Sequence, residues 1–307
     1  MKVGSLVLIA LVGFASNGMA QGKIDSLKAK PEFARKGRLF LYGGYNRDAY
    51  TKSDIHIKGA GYDFTIKDVT AHDDQEPLSM EYVKPASMSV PQYNYRLGYY
   101  INDKTFISIG QDHMKYRIYR QTTSLTGYVN QDNNGGKNIG NYSNAQVIVG
   151  EAADDESHNQ PVADSSRADG FVSRFKHCDG LNDITIEAGR TVDLWVARNG
   201  KHALSLLGAV GAGGDVLDTE ADILGYPSKH NLGARKAYHL AGYSCSAIAG
   251  VDFTFFKNFF IQLRVKGGYI NLPDINTTVE GGKASQHLGF IEYMGVIGYS
   301  YSFAKKN

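Results

Sequence analysis

The chain reads in twos. From 91 to 101 (PQYNYRLGYYI), Tyr93, Tyr95, Leu97, Tyr99 and Ile101 share one face, and Gln92, Asn94, Arg96, Gly98 and Tyr100 share the other. Between 241 and 255, Tyr243, Cys245, Ala247, Ala249, Val251, Phe253 and Phe255 oppose Gly242, Ser244, Ser246, Gly250, Asp252 and Thr254. Between 259 and 269, Phe259, Ile261, Leu263, Val265 and Tyr269 oppose Gln262, Arg264, Lys266 and Gly268. Between 289 and 303, Ile291, Tyr293, Ile297, Tyr299, Tyr301 and Phe303 oppose Glu292, Met294, Gly298, Ser300 and Ser302. A period of two is the mark of a strand with one apolar face. The pattern predicts eight strands, at about 37–46, 91–101, 104–119, 183–196, 202–213, 238–255, 258–272 and 287–303. Segment 202–213 alternates weakly, and 104–119 changes phase near Gly110–His113, which predicts a bulge.

The polar face decides the architecture. In a soluble sandwich or lipocalin-like barrel that face meets water and carries Lys, Glu and Thr freely. Here it is mostly Gly, Ser, Asn and Gln, and the apolar face gathers Tyr and Phe near the strand ends. This predicts an all-β fold: a transmembrane, antiparallel, up-and-down barrel with aromatic girdles and a polar lumen. Short turns at Asn102–Asp103, 198–201 and 257–258 alternate with long polar stretches at 47–90, 120–182, 214–237 and 273–286. Short periplasmic turns and long extracellular loops are the expected asymmetry, with both termini periplasmic. Counting 53–67 and 171–178 as further membrane strands gives the alternative of ten.

Composition narrows the class. The 307 residues include 35 Gly, 20 Tyr and only 7 Pro. No apolar run after the N-terminus reaches the roughly 18 residues of a membrane helix. Two Cys are too few for a disulfide framework. A helical membrane protein, a collagen-like chain and a disulfide miniprotein are excluded. A net charge of +2 argues against a nucleic-acid partner.

Residues 1–20 read as a signal peptide. Lys2 precedes an apolar Leu6–Ala15 stretch, with Gly18 and Ala20 as the small residues before the cut. The mature net charge is then about +1. Residues 21–36 are predicted to be a flexible periplasmic segment, 37–303 the barrel and 304–307 a tail. Export leads to an oxidising compartment, where Cys178 and Cys245 are able to pair.

The alternating Tyr299, Tyr301 and Phe303 resemble the C-terminal assembly signal of bacterial outer-membrane barrels, with the departure that Ala304–Asn307 follow. With the leader and the turn rhythm, the chain resembles the small outer-membrane β-barrel families of Gram-negative bacteria, such as the OmpA transmembrane-domain type. The segments SDIHIKGAGYDFTI, PQYNYRLGYYIND, ISIGQDHMKY and HCDGLN are similar to a further outer-membrane family with no agreed activity. The resemblance covers roughly 37–303. It implies an outer-membrane, multi-pass location. Its partners would be the lipid bilayer, lipopolysaccharide, the outer-membrane assembly machinery and an unidentified extracellular ligand. A structural or surface-binding role through the loops is the leading expectation; a narrow, porin-like channel and an outer-leaflet lipid A-modifying enzyme are the alternatives.

Candidate chemistry follows from the alternation. Arg96, Glu187, Asp252, Arg264, Lys266 and Glu292 are predicted to face the lumen. Acids and bases on neighbouring strands would form a salt-bridged plug, because an unpaired charge in a narrow interior costs several kcal/mol. Arg174–Asn182 resembles the Arg-Phe-x-His-x-Ser-Asn motif of outer-membrane lipid A deacylases, with His177 as base and Glu187 orienting it. Asp179 stands where that family has its Ser nucleophile, so no catalytic residue is assigned. His113, His177, His239 and His287 fall near the outer rim without metal-ligand spacing, and the acidic run 151–156 matches no calcium loop. No phosphate-binding Gly loop or nucleotide fingerprint is present, so neither a cofactor nor a metal is predicted. Tyr62, Phe64, Tyr128 and Tyr142 are candidate loop anchors for a ligand.

Overall fold

A computed structural model describes residues 32–74, 92–151, 170–177, 180–228 and 238–302. In chain order the strands are β1 (Arg38–Tyr50), β2 (Ser53–Gly59), β3 (Tyr62–Val69), β4 (Asn94–Tyr100) and β5 (Thr105–Met114). There follow β6 (Gln121–Val129), β7 (Gly140–Val149), β8 (Val172–Lys176), β9 (Leu181–Val196) and β10 (Ala203–Leu217). The last are β11 (Glu220–Ile223), β12 (Tyr226–Pro227), β13 (His239–Phe255), β14 (Phe259–Asn276) and β15 (Lys283–Ser302).

Eight of them form an antiparallel ring in the order β1-β4-β5-β9-β10-β13-β14-β15, and β15 closes on β1 from Arg38↔Ser302 to Tyr50↔Phe290. The ring follows chain order, so the barrel is up-and-down. The segments behind the ten-strand count do form strands, but outside the ring. Hairpin β2–β3 adds to the far end of β15, where Lys58 pairs with Lys283 and Ile55 with Gln286, and the sheet continues through β6 to β7. Strand β8 pairs with β11 in a separate three-stranded sheet.

The predicted bulge near Gly110–His113 is absent: β5 pairs with β4 and β9 without a register shift. The pattern breaks there because the outward-phased His113 is covered. Its ring stacks on Tyr93 at 5.1 Å, and Nδ1 lies 2.8 Å from Asn182 Oδ1. The weak alternation of β10 has a different cause. Its inward positions carry Ala209, Gly211 and Gly213, and a Cβ at Gly211 would stand 3.2 Å from Glu187 Cγ. Small residues there leave room for side chains reaching across the lumen.

The outer face of the ring is apolar and exposed. Leu97, Ile109, Ile186, Val251, Leu263 and Ile297 all stand out from the wall, Leu263 with 67% of its surface exposed. Tyr99, Trp195, Phe253, Phe259 and Tyr299 ring the end that carries the short turns. Tyr45, Tyr95, Tyr243, Tyr269 and Tyr293 ring the other. The intervals 243–253 and 259–269 match the roughly 9–11 residues of a tilted spanning strand.

Above the far end sits a packed canopy. Alternation along β2 and β3 buries Ile55, Ile57, Tyr62, Phe64 and Ile66, and these join Leu125, Val129, Val147 and Val149 from β6 and β7. Phe171 meets the ring of Phe64 at 6.2 Å and that of Tyr142 at 5.1 Å, both edge-on. The same cluster runs down to Ile270, Leu272, Leu288 and Phe290 at the barrel mouth. The stretches that composition marks as polar loops thus hold a continuous hydrophobic core.

Candidate functional site

The lumen is filled in layers. At the turn end, Phe40, Tyr42, Tyr100, Phe106 and Phe260 pack together with Met294 and Val296. Inward glycines make this possible. Phe40 lies opposite Gly98, and Phe260 opposite Gly298. A Cβ at Gly98 would fall 2.0 Å from Phe40 Cζ, and one at Gly298 would fall 2.2 Å from Phe260 Cζ. Each glycine is a socket for the ring on the next strand. Below them, Arg35 bridges Asp193 at 2.7 Å and Ser205 at 2.8 Å, and the Phe33 amide donates to Asp193 at 2.8 Å. Of the segment expected to be flexible, only 32–36 are described, and they lie across this end of the barrel.

The middle layer is charged. Arg96 lies 3.1 Å from Glu187 and 3.5 Å from Asp112, and it donates to Thr185 Oγ1 at 2.8 Å. Arg264 donates to Glu187 at 2.6 Å and sits 5.2 Å from the centre of the Tyr42 ring. Lys266 donates to Asp112 at 2.7 Å and to Asp183 at 2.5 Å, with Glu292 at 3.8 Å. Register explains the gathering. Asp112, Asp183 and Asp215 stand side by side on β5, β9 and β10, while Lys266, Glu292 and Asp48 stand side by side on β14, β15 and β1. All of these are buried. Between the aromatic and charged layers lies a cavity of about 10 Å³, room for about one water.

Five of the six lumen candidates meet in this network. Asp252 is buried elsewhere, accepting from Gln262 and Thr254 at 2.8 Å each. Asp48, Asp112, Asp183 and Asp215 were not among the candidates. Asp183 shares the phase of Glu187 and was open to the same alternation argument; Asp48 and Asp215 lie past the strand ends drawn from the pattern.

The catalytic alternative does not assemble among the described residues. His177 is fully buried in the canopy, 5.3 Å from the Tyr116 ring and 5.1 Å from the Phe175 ring, with Nδ1 3.0 Å from Thr219 Oγ1. Burial, with a smaller contribution from His239, pushes its pKa down to about 3. Glu187 is held in the lumen by Arg96 and Arg264, so the structure does not bring it to His177. Asp179 and Cys178 lie outside the described residues; Cys245 is exposed on the outer wall. Among the described residues no group of three His, Cys, Asp or Glu is placed to hold a metal ion. Glu151, from the acidic run, pairs with Arg117 at 2.8 Å and with Arg174, while Glu220 lies 3.0 Å from Lys176. Residues 152–156 are outside the described set.

The proposed ligand anchors are corrected in part. Tyr62 and Phe64 are core residues, 3% and 1% exposed, and Tyr142 packs against that core. Tyr128 is exposed. Tyr299 and Tyr301 face outward at the turn end, and Phe303 is not described. His287 lies 6.1 Å from the Tyr269 ring, and His239 Nε2 lies 2.6 Å from the Asp274 carbonyl oxygen.

No protein-family model and no curated protein matches the chain. Solved structures similar to it include the outer membrane protein OprG from Pseudomonas aeruginosa, at 10% identity, 87% of this chain, 97% of that one and a TM-score of 0.37. Ail, the attachment invasion locus protein of Yersinia pestis, is similar at 12% identity, 87% and 99% coverage and a TM-score of 0.32, in a complex with the heparin analogue sucrose octasulfate. The outer membrane protease OmpT from Escherichia coli follows at 8% identity, 86% and 96% coverage and a TM-score of 0.23. These likenesses concern architecture, at identities too low to carry residue roles from one chain to another.

Proposed function

We propose that this protein is an outer-membrane barrel whose sealed lumen serves as a rigid base for a folded extracellular canopy, and that the canopy binds a ligand at the cell surface. The exposed apolar wall between two aromatic girdles supports the membrane location. The observation that carries the surface role is the packing of the interior. An aromatic layer, a cross-linked charged layer and a cavity of only about 10 Å³ between them support a closed interior over an open channel. The canopy, by contrast, is a built structure with a core of its own. The lipid bilayer and lipopolysaccharide surround the wall in this reading, and the assembly machinery inserts it.

Purified chain refolded into a planar bilayer tests the reading. The expected result is electrical silence from a protein that shows heat-modifiable gel mobility. Steady single-channel steps that change with Arg264→Ala would replace this reading with that of a narrow channel.

A further inference from the structure

At the canopy's edge a cavity of about 130 Å³ opens between the β10–β11 turn, the end of β12, the start of β13 and the β14–β15 hairpin. We infer that it is a binding site for one ring of a neutral saccharide. The inference deepens the proposed surface-binding role and rests on it.

Among the described residues, most of the lining exchanges hydrogen bonds with hydroxyls. Thr219, Ser228, Thr277 and Thr278 supply hydroxyls, Asn276 an amide, Asp218 a carboxylate and His239 an imidazole. Ser228 Oγ and Thr277 Oγ1 have no hydrogen-bond partner, although both residues are only 2% exposed. A buried polar group left unpaired costs about 1–3 kcal/mol, so two in one small cavity need a reason. His239 points the same way. Its Nε2 lies 2.6 Å from a carbonyl oxygen, which only accepts, so Nε2 is the donor in that contact. Nδ1, the other ring nitrogen, is unpartnered. Gly282 keeps the space clear: a Cβ there would fall 2.9 Å from Thr277 Oγ1.

The chemistry of the lining selects the ligand. Ser and Thr hydroxyls both donate and accept, which matches sugar hydroxyls that do the same. Among the described residues the lining holds no Lys or Arg to neutralise a phosphate, sulfate or carboxylate ligand. Among the described residues the lining holds one carboxylate, a poor match for a divalent cation, which calls for more anionic oxygen. The volume is well below the roughly 300–1,000 Å³ of drug-sized sites and suits one ring.

The test uses the full chain in detergent micelles and saturation-transfer NMR. The probes are N-acetylglucosamine, galactose and mannose, with inorganic phosphate and calcium as competitors. At least one sugar is expected to bind, at least tenfold more weakly to the variant Ser228→Ala/Thr277→Val. The melting temperature of that variant should be unchanged or raised, because it removes orphaned hydroxyls. Tighter binding of the neutral hexose oligosaccharide cut from the lipopolysaccharide core would assign the sugar to the protein's own membrane. Equal binding would assign it to a free saccharide. No sugar binding, displacement by phosphate or calcium, or sugar binding unmoved by the double variant overturns the inference. A silent bilayer and intact heat-modifiable mobility alongside that failure would leave the sealed-barrel reading standing.

Discussion

Lys266 shows how tightly the interior depends on single residues. Its ammonium group is fully buried between Asp112 and Asp183, and the guanidinium groups of Arg96 and Arg264 are engaged with Glu187. Removing one partner from a buried ion pair leaves a charge with neither water nor counter-ion, at a cost of about 3–5 kcal/mol. Lys266→Met should therefore lower the urea midpoint of the refolded barrel sharply. Adding Asp112→Asn and Asp183→Asn should restore much of it. An unchanged midpoint in the single variant would show that the network is dispensable. His177 makes a separate prediction for the canopy. In the folded chain its ring stays neutral down to about pH 3, whereas unfolded it takes up a proton near 6.5. Between those values the unfolded chain binds the extra proton, so the canopy loses stability as pH falls through that window. His177→Phe keeps the contacts with Tyr116 and Phe175 but cannot titrate. Protease cleavage of the canopy should begin at a higher pH in the parent than in this variant; coincident profiles would rule the mechanism out.

Among elements, each Phe–Gly pair seats an aromatic ring of one strand on the backbone of its neighbour. Gly298→Ala would force the Phe260 ring out of its socket, and overpacking of this kind costs about 1–3 kcal/mol. Combining it with Phe260→Leu, which empties the socket, should recover part of the loss. A double-mutant cycle on the urea midpoint measures that coupling, and simple additivity would argue against a direct clash. The barrel strands were largely legible in the sequence because lipid-facing and lumen-facing positions alternate without interruption. Legibility failed where that condition lapses. After Gly110 both phases of β5 are covered, so a buried His113 imitates a bulge. Asp48 and Asp215 lie past the strand ends drawn from the pattern, where the preceding outward positions hold Arg47 and Gly214 rather than a large hydrophobe. The canopy was the least legible part. Tyr62 and Phe64 alternate as they would in a ligand-binding hairpin, and only the β6–β7 and β8 partners, distant in sequence, convert that face into core.

For the whole molecule, one strand joins both halves. Strand β15 closes the ring against β1 and also carries the canopy sheet through its pairing with β2. Both contacts link the beginning of the described chain to its end, and pairings so distant in sequence form slowly, because the intervening chain must first be ordered. In chain order the β2–β3 segment comes long before β15, the edge on which it docks. The canopy therefore reaches its native state only after the final strand has been placed, in the same late step that seals the ring. A barrel with β15 missing or out of register has no edge on which to seat the canopy, so a native canopy is itself a record that the ring has closed.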